Sequence, residues 1–249
     1  MRDWLRRLRP APAELEPDAW RAACADAPWV AALDNARRER LSQLARRFLH
    51  DKTITPIGDL TLELSQRYRL AALCCLPLLE FGERGLDGWS QLIVYPDAFR
   101  VNRTHVDAAG VMHEWDDELI GEAWESGPVI LSWADVEADC ADPRAGFCVT
   151  THEIAHKLDA LDGVLDGTPA LPRAWQREWA RDFQQAYDAL CRAVDAQEPS
   201  DVDPYAAEAP EEFFAVVTEY HFSDPGVLRA AMPAVAAHLD RFYGPSPFA

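Results

Sequence analysis

Two histidines four residues apart, with a glutamate directly after the first, carry the sharpest chemical signal in this chain: His152-Glu153-Ile154-Ala155-His156. The run follows Phe147-Cys148-Val149 and precedes Leu158, an apolar setting that predicts a helix. Residues i and i+4 share one helix face, so both imidazoles can turn toward a single Zn²⁺, which accepts histidine nitrogen at about 2.0–2.1 Å. Glu153 then stands beside the ion rather than on it. There it can take a proton from a water whose pKa a Lewis acid lowers toward about 7, and the product is a nucleophile able to attack an amide. Two histidines and a carboxylate satisfied by protein groups alone would instead have to offset the desolvation of polar side chains on an apolar helix.

A catalytic zinc of this kind needs a third protein ligand and an open fourth position. The metzincin pattern asks for Gly at 159 and His at 162, where this chain has Asp159 and Asp162, so that class is excluded. Asp162 stays possible as a nearby carboxylate, although no glycine precedes it to turn the chain back before Gly163. Glu212 and Glu219 are better placed, because positions 212, 215, 216 and 219 fall on one face of a second helix. Either could complete a His₂Glu site, and the other could orient a ligand histidine. Spacing does not choose between them. Glu208 and Glu211 read as solvated acids near a helix start at Pro210. His50, His105, His113, His221 and His238 read as non-ligands, with His221 the nearest in sequence to the glutamate helix.

The elements that must position these residues are legible in outline. Asp34 is a candidate N-cap for an amphipathic helix through Leu41, Leu44, Phe48 and Leu49, and a second helix is predicted over Leu62–Cys75, ended or kinked by Pro77. Strands are predicted at Gln91–Pro96, Val111–Trp115 and Pro128–Trp133, the last apolar enough to be central. It is also the candidate edge along which an extended peptide could add beside the histidine helix. Helices follow over Val149–Leu161, Ala174–Val194, Pro210–Phe222 and Val227–Phe242. Helices, then strands, then helices indicate an α+β fold with a small mixed sheet. One domain over residues 1–249 is expected, mainly helical over 1–85 with a catalytic core over 86–249.

Composition narrows the partners. The 249 residues carry 24 Lys+Arg and 42 Asp+Glu, a net charge of −18, with 49% hydrophobic residues, which is globular rather than disordered. Residues 51–249 hold 14 basic and 35 acidic side chains, a field that repels phosphate backbones, so direct nucleic-acid binding is not expected. Arg2, Arg6, Arg7 and Arg9 read as a solvated terminus. Six cysteines without a C-x-x-C pair read as buried small hydrophobes, and no apolar run approaches about 20 residues. A reduced, cytoplasmic protein without a membrane span is expected.

Longer stretches carry a resemblance. His152-Glu-Ile-Ala-His-Lys-Leu-Asp-Ala-Leu-Asp-Gly163, Asp203-Pro-Tyr-Ala-Ala207 and Glu212-Phe-Phe-Ala-Val-Val-Thr-Glu-Tyr220 are joined by Arg47-Phe-Leu-His50, Cys75-Leu-Pro-Leu-Leu79, Ile93-Val-Tyr-Pro96 and Val129-Ile-Leu-Ser-Trp133. Together they resemble the Mlc titration factor A family of bacterial zinc metallopeptidases. The resemblance implies a zincin-like fold similar to the catalytic domain of anthrax lethal factor and an aminopeptidase-like activity on peptide substrates. It also implies zinc ligands at His152, His156 and Glu212, a general base at Glu153 and a tyrosine at Tyr205 that steadies the transition state. A phenol just ahead of the glutamate helix, in a segment stiffened by Pro204, is compatible with donation to a developing oxyanion. The family further implies binding of a transcriptional repressor resembling Mlc, and through it regulation of glucose phosphotransferase uptake. The alternative function is a non-catalytic, zinc-containing regulator that sequesters such a repressor.

Overall fold

A computed structural model describes residues 12–97 and 127–249. The strand predicted at Val111–Trp115, together with His105, His113 and the arginines at 2–9, lies outside the described residues. The N-terminal part is helical: α1 (Pro17–Ala25), α2 (Pro28–Ala31), α3 (Asn35–Asp51), then strand β1 (Thr53–Pro56) and α4 (Leu64–Cys75). Asp34 caps α3 by accepting the Arg37 N–H at 2.8 Å, and Leu41, Leu44 and Phe48 form its buried stripe. Helix α4 is buried from Tyr68 to Cys75. Its ladder stops at Cys75 and tightens into a 3₁₀ turn over Leu76–Leu78, where Pro77 needs no N–H partner.

The sheet contains β1, β2 (Gln91–Tyr95) and β3 (Val129–Ser132), in that order. The sequence reading is of a mixed sheet with Pro128–Trp133 at its centre; the described residues show a different arrangement. All described strands are parallel, and β2 is central, with Leu92 and Val94 fully buried. Parallel pairing follows from long connections that bring each strand back in the same sense, α4 lying in the first of them. Strand β3 lies against α5 and α6, which accounts for its apolar character. Among the described residues it pairs with β2 alone. Strand β1 escapes the sequence reading because it is four residues long and ends in Pro56, tolerated on an edge strand where no ladder bond is lost.

The chain then enters α5 (Trp133–Ala141), which Ser132 caps through Asp135 N–H at 3.0 Å, and continues through α6 (Val149–Asp159), α7 (Arg173–Asp195), α8 (Pro210–Ser223), α9 (Pro225–Ala231) and α10 (Pro233–Tyr243). The single helix predicted over Val227–Phe242 is two helices. Met232 before Pro233 is driven to φ −137°, ψ 66°, outside the helical region. Helix α8 is buried at every residue from Phe213 to Ser223, as expected of the central helix of a core. It packs on α6, which in turn lies against α4 and β3. Trp179 stacks on Phe183 at 4.0 Å and meets Phe214 and Phe242, joining α7, α8 and α10. Among the described residues no helix is long and apolar enough to cross a membrane.

Candidate metal centre

Helix α6 presents His152 and His156 one turn apart toward α8, with their Nε2 atoms 3.1 Å from each other. Glu212, in the first turn of α8, places Oε2 3.2 Å from His152 Nε2 and Oε1 3.6 Å from His156 Nε2. Ligands bonded at about 2.0–2.1 Å to a tetrahedral ion stand roughly 3.3 Å from one another. The three donors therefore have the mutual spacing of a zinc coordination shell. They are the group of metal-capable side chains that converges among the described residues. Glu212 Oε2 is buried, and its near polar neighbour is His152 Nε2 at 3.2 Å. Two nitrogens and one carboxylate oxygen are the donor set that Zn²⁺ favours.

Glu219 stands two turns along α8 and does something different. Its Oε1 accepts from His152 Nδ1–H at 2.8 Å, and its Oε2 accepts the backbone N–H of Cys148 at 2.7 Å. With Nδ1 bound this way, the proton His152 gives up on turning neutral is the one on Nε2, which leaves the lone pair toward His156 and Glu212. The two glutamates that spacing could not separate thus meet opposite nitrogens of the same ring. Burial disfavours the His152 imidazolium, but the adjacent Glu212 and Glu219 carboxylates outweigh it and bring its pKa up to about 10. Burial alone would raise the Glu212 carboxyl. The two histidines beside it instead hold it well below the usual carboxylate range.

Glu153 is half-buried on α6, next in sequence to His152. Tyr205 sits on a 3₁₀ turn, Pro204–Ala207, whose start Asp203 caps by accepting the Tyr205 N–H at 2.9 Å. The tyrosine ring lies 6.3 Å from that of His152. Asp162 does not join the group. It is exposed, and its Oδ1 accepts the Val164 N–H at 3.3 Å. Glu208 is exposed and Glu211 half-buried. The remaining described histidines are engaged elsewhere: His50 with Asp51, His238 with Asp182 at 2.8 Å, and His221 packed beside Phe222 and Tyr243. The C-terminal Gly244–Pro247 stretch is tied to the first helices, since Pro245 O accepts from Arg37 at 2.8 Å.

Sequence reasoning missed the second use of Asp159, considered only as a departure from the metzincin pattern. The side chain is fully buried and accepts the Gly167 N–H at 2.7 Å. Its partner lies eight residues downstream in a loop, where periodicity carries no signal.

Comparison with known proteins points to a metallopeptidase family. The family described as glucose-regulated metallo-peptidase M90 matches residues 1–244. Mlc titration factor A of Edwardsiella ictaluri is 35% identical over 249 residues, covering 98% of this chain and 93% of that protein. The proteins of the same name from Serratia proteamaculans and Cronobacter sakazakii are 36% and 35% identical, covering 92% and 94% of this chain and 88% and 89% of their own lengths.

Proposed function

Because this chain belongs to the glucose-regulated metallo-peptidase M90 family, we propose that it is a zinc-dependent, zincin-like peptidase of aminopeptidase type. In this reading His152, His156 and Glu212 hold the metal. The observation that carries it is the convergence of three donors at 3.1, 3.2 and 3.6 Å. Zinc bound there supplies a Lewis acid that polarises a carbonyl and acidifies water. Glu153 takes the proton from the attacking water and passes it to the leaving amine. Tyr205 donates its hydroxyl proton in a hydrogen bond to the oxyanion as charge develops on it. Glu219 holds His152 in the tautomer that leaves Nε2 free for the metal. The substrate is a peptide in extended form, laid along β3, which is unpaired on one side among the described residues and packs beside α6.

Two measurements test this. Elemental analysis should find about one zinc per chain, lost in Glu212→Ala and kept, though bound more weakly, in Glu219→Ala. Glu153→Gln should retain the zinc and lose about 10²–10⁴-fold in hydrolysis of aminoacyl and short peptide substrates. Unchanged hydrolysis with zinc bound would sink the general-base role.

The name of the relatives favours a second reading beside the first. A protein called Mlc titration factor A is named for an action on Mlc, so we propose that this chain also binds a repressor of that kind in the cytoplasm and thereby affects glucose uptake. If the chain is a regulator alone, Glu153→Gln binds the repressor as wild type does and neither protein cuts a peptide. A pull-down paired with the peptidase assay separates the two.

A further inference from the structure

Helices α6 and α8 run antiparallel and are fastened at both ends. At the start of α6, Glu219 accepts the Cys148 N–H at 2.7 Å and the His152 Nδ1–H at 2.8 Å. At its end, Asp159 Oδ2 accepts the Gly167 N–H at 2.7 Å, while its Oδ1 makes no hydrogen bond. Gly167 has φ +78°, and a Cβ there would come within 2.2 Å of Pro210 O, 2.6 Å of Pro210 C and 3.1 Å of Glu211 N. The loop backbone therefore rests directly on the first peptide of α8, and the next residue in that turn is Glu212.

We propose that Asp159 is a positioning residue for the metal centre: by holding Gly167 against Pro210–Glu211, it sets where Glu212 stands relative to His152 and His156. This rests on the metal-site reading above. The contacts run without a gap from the residue three positions after His156, through Gly167, to the residue before Glu212. A metal site needs its ligands held to about half an ångström, and first-turn helix positions are otherwise the least constrained in a helix. The carboxylate oxygen, not the charge, performs this task, because the bond is to a backbone N–H.

The test is zinc affinity, by competition with a chromophoric chelator, and the visible spectrum of the Co²⁺-substituted protein, for wild type, Asp159→Ala and Asp159→Asn. Asp159→Ala should bind zinc about 10–100-fold more weakly with an altered Co²⁺ spectrum. Asp159→Asn, whose amide oxygen still accepts from Gly167, should keep most of the affinity and the wild-type spectrum. A merely structural role would lower the unfolding temperature of the metal-free protein and leave both readouts unchanged, and that result overturns the proposal. So does an Asp159→Asn as weak as Asp159→Ala. If Asp159→Ala does not fold, Gly167→Ala takes its place, since its methyl must displace the Pro210 carbonyl; unchanged affinity there also overturns it. Wild type that binds neither zinc nor cobalt overturns the metal-site reading itself, whereas zinc held equally by wild type and Asp159→Ala overturns this proposal alone.

Discussion

At the residue scale, the same imidazole is gripped from both sides: His152 faces Glu219 through Nδ1 and Glu212 through Nε2. In the metal-free protein the pair of carboxylates brings its pKa up to about 10, so at neutral pH the ring is an imidazolium. A metal can bind only as that proton leaves. Zinc affinity is therefore expected to rise by about tenfold per pH unit between pH 6 and 8, one proton being released per ion bound. Chelator competition across that range, with proton uptake followed in two buffers, measures it. Removing Glu219 lowers the basicity and the orientation of the ring together, so Glu219→Ala is expected to weaken zinc about 10–100-fold while leaving the stoichiometry at one.

At the element scale, α8 carries both the glutamate that faces the two histidines and the contacts that bury it. His221, on the face of α8 turned toward α10, is 1% exposed and packs beside Phe222 and Tyr243. Burial, reinforced by the Arg229 charge, pushes its pKa down to about 3. Asp240 lies 3.6 Å from its Nδ1, but the same carboxylate oxygen is 3.5 Å from the Arg229 guanidinium, which offsets its pull. The folded chain thus keeps this ring neutral where the unfolded chain protonates it near its ordinary value of about 6.5. The stability it contributes is fully present above that pH and is lost as pH falls toward 3. The slope approaches about 1.4 kcal/mol per pH unit within that window. Urea unfolding of wild type and His221→Phe between pH 7 and 5 should show the stability difference between the two changing with this slope, the contributions of all other titrating groups being common to both.

At the scale of the whole molecule, the proposed ligands come from two helices that belong to one core, α6 against β3 and α4, α8 against α9 and α10 and, through Phe213 and Phe214, against α7. A metal held between α6 and α8 binds the folded chain and not the unfolded one. Free zinc at a thousand times its dissociation constant is then expected to add about 4 kcal/mol to stability. Thermal unfolding with and without a chelator reads this as a higher Tm in zinc, and Glu212→Ala should remove the difference.

The histidine pair, the glutamate beside it, the helical character of 149–159, 173–195 and 210–223, and the strand at 91–95 were all legible from periodicity and spacing, because each depends on residues within a turn or two of one another. The family was legible for the same reason, from short contiguous stretches. Four things needed the folded chain. Among the described residues the sheet is parallel and β2 central, because strand direction and order are set by connections many residues long. The helix over 227–242 breaks at Pro233, a local signal outweighed by a continuous apolar stripe. Glu212 and Glu219, identical in type and on one helix face, are not separated by spacing, and the structure shows which nitrogen of His152 each reaches. Asp159 finds its partner in the Gly167 loop and, through it, the start of α8. Sequence determines which chemistry the chain can carry; the packing of α6 on α8 decides which carboxylate meets which atom, because a side chain's role depends on distances of an ångström between residues that lie dozens of positions apart.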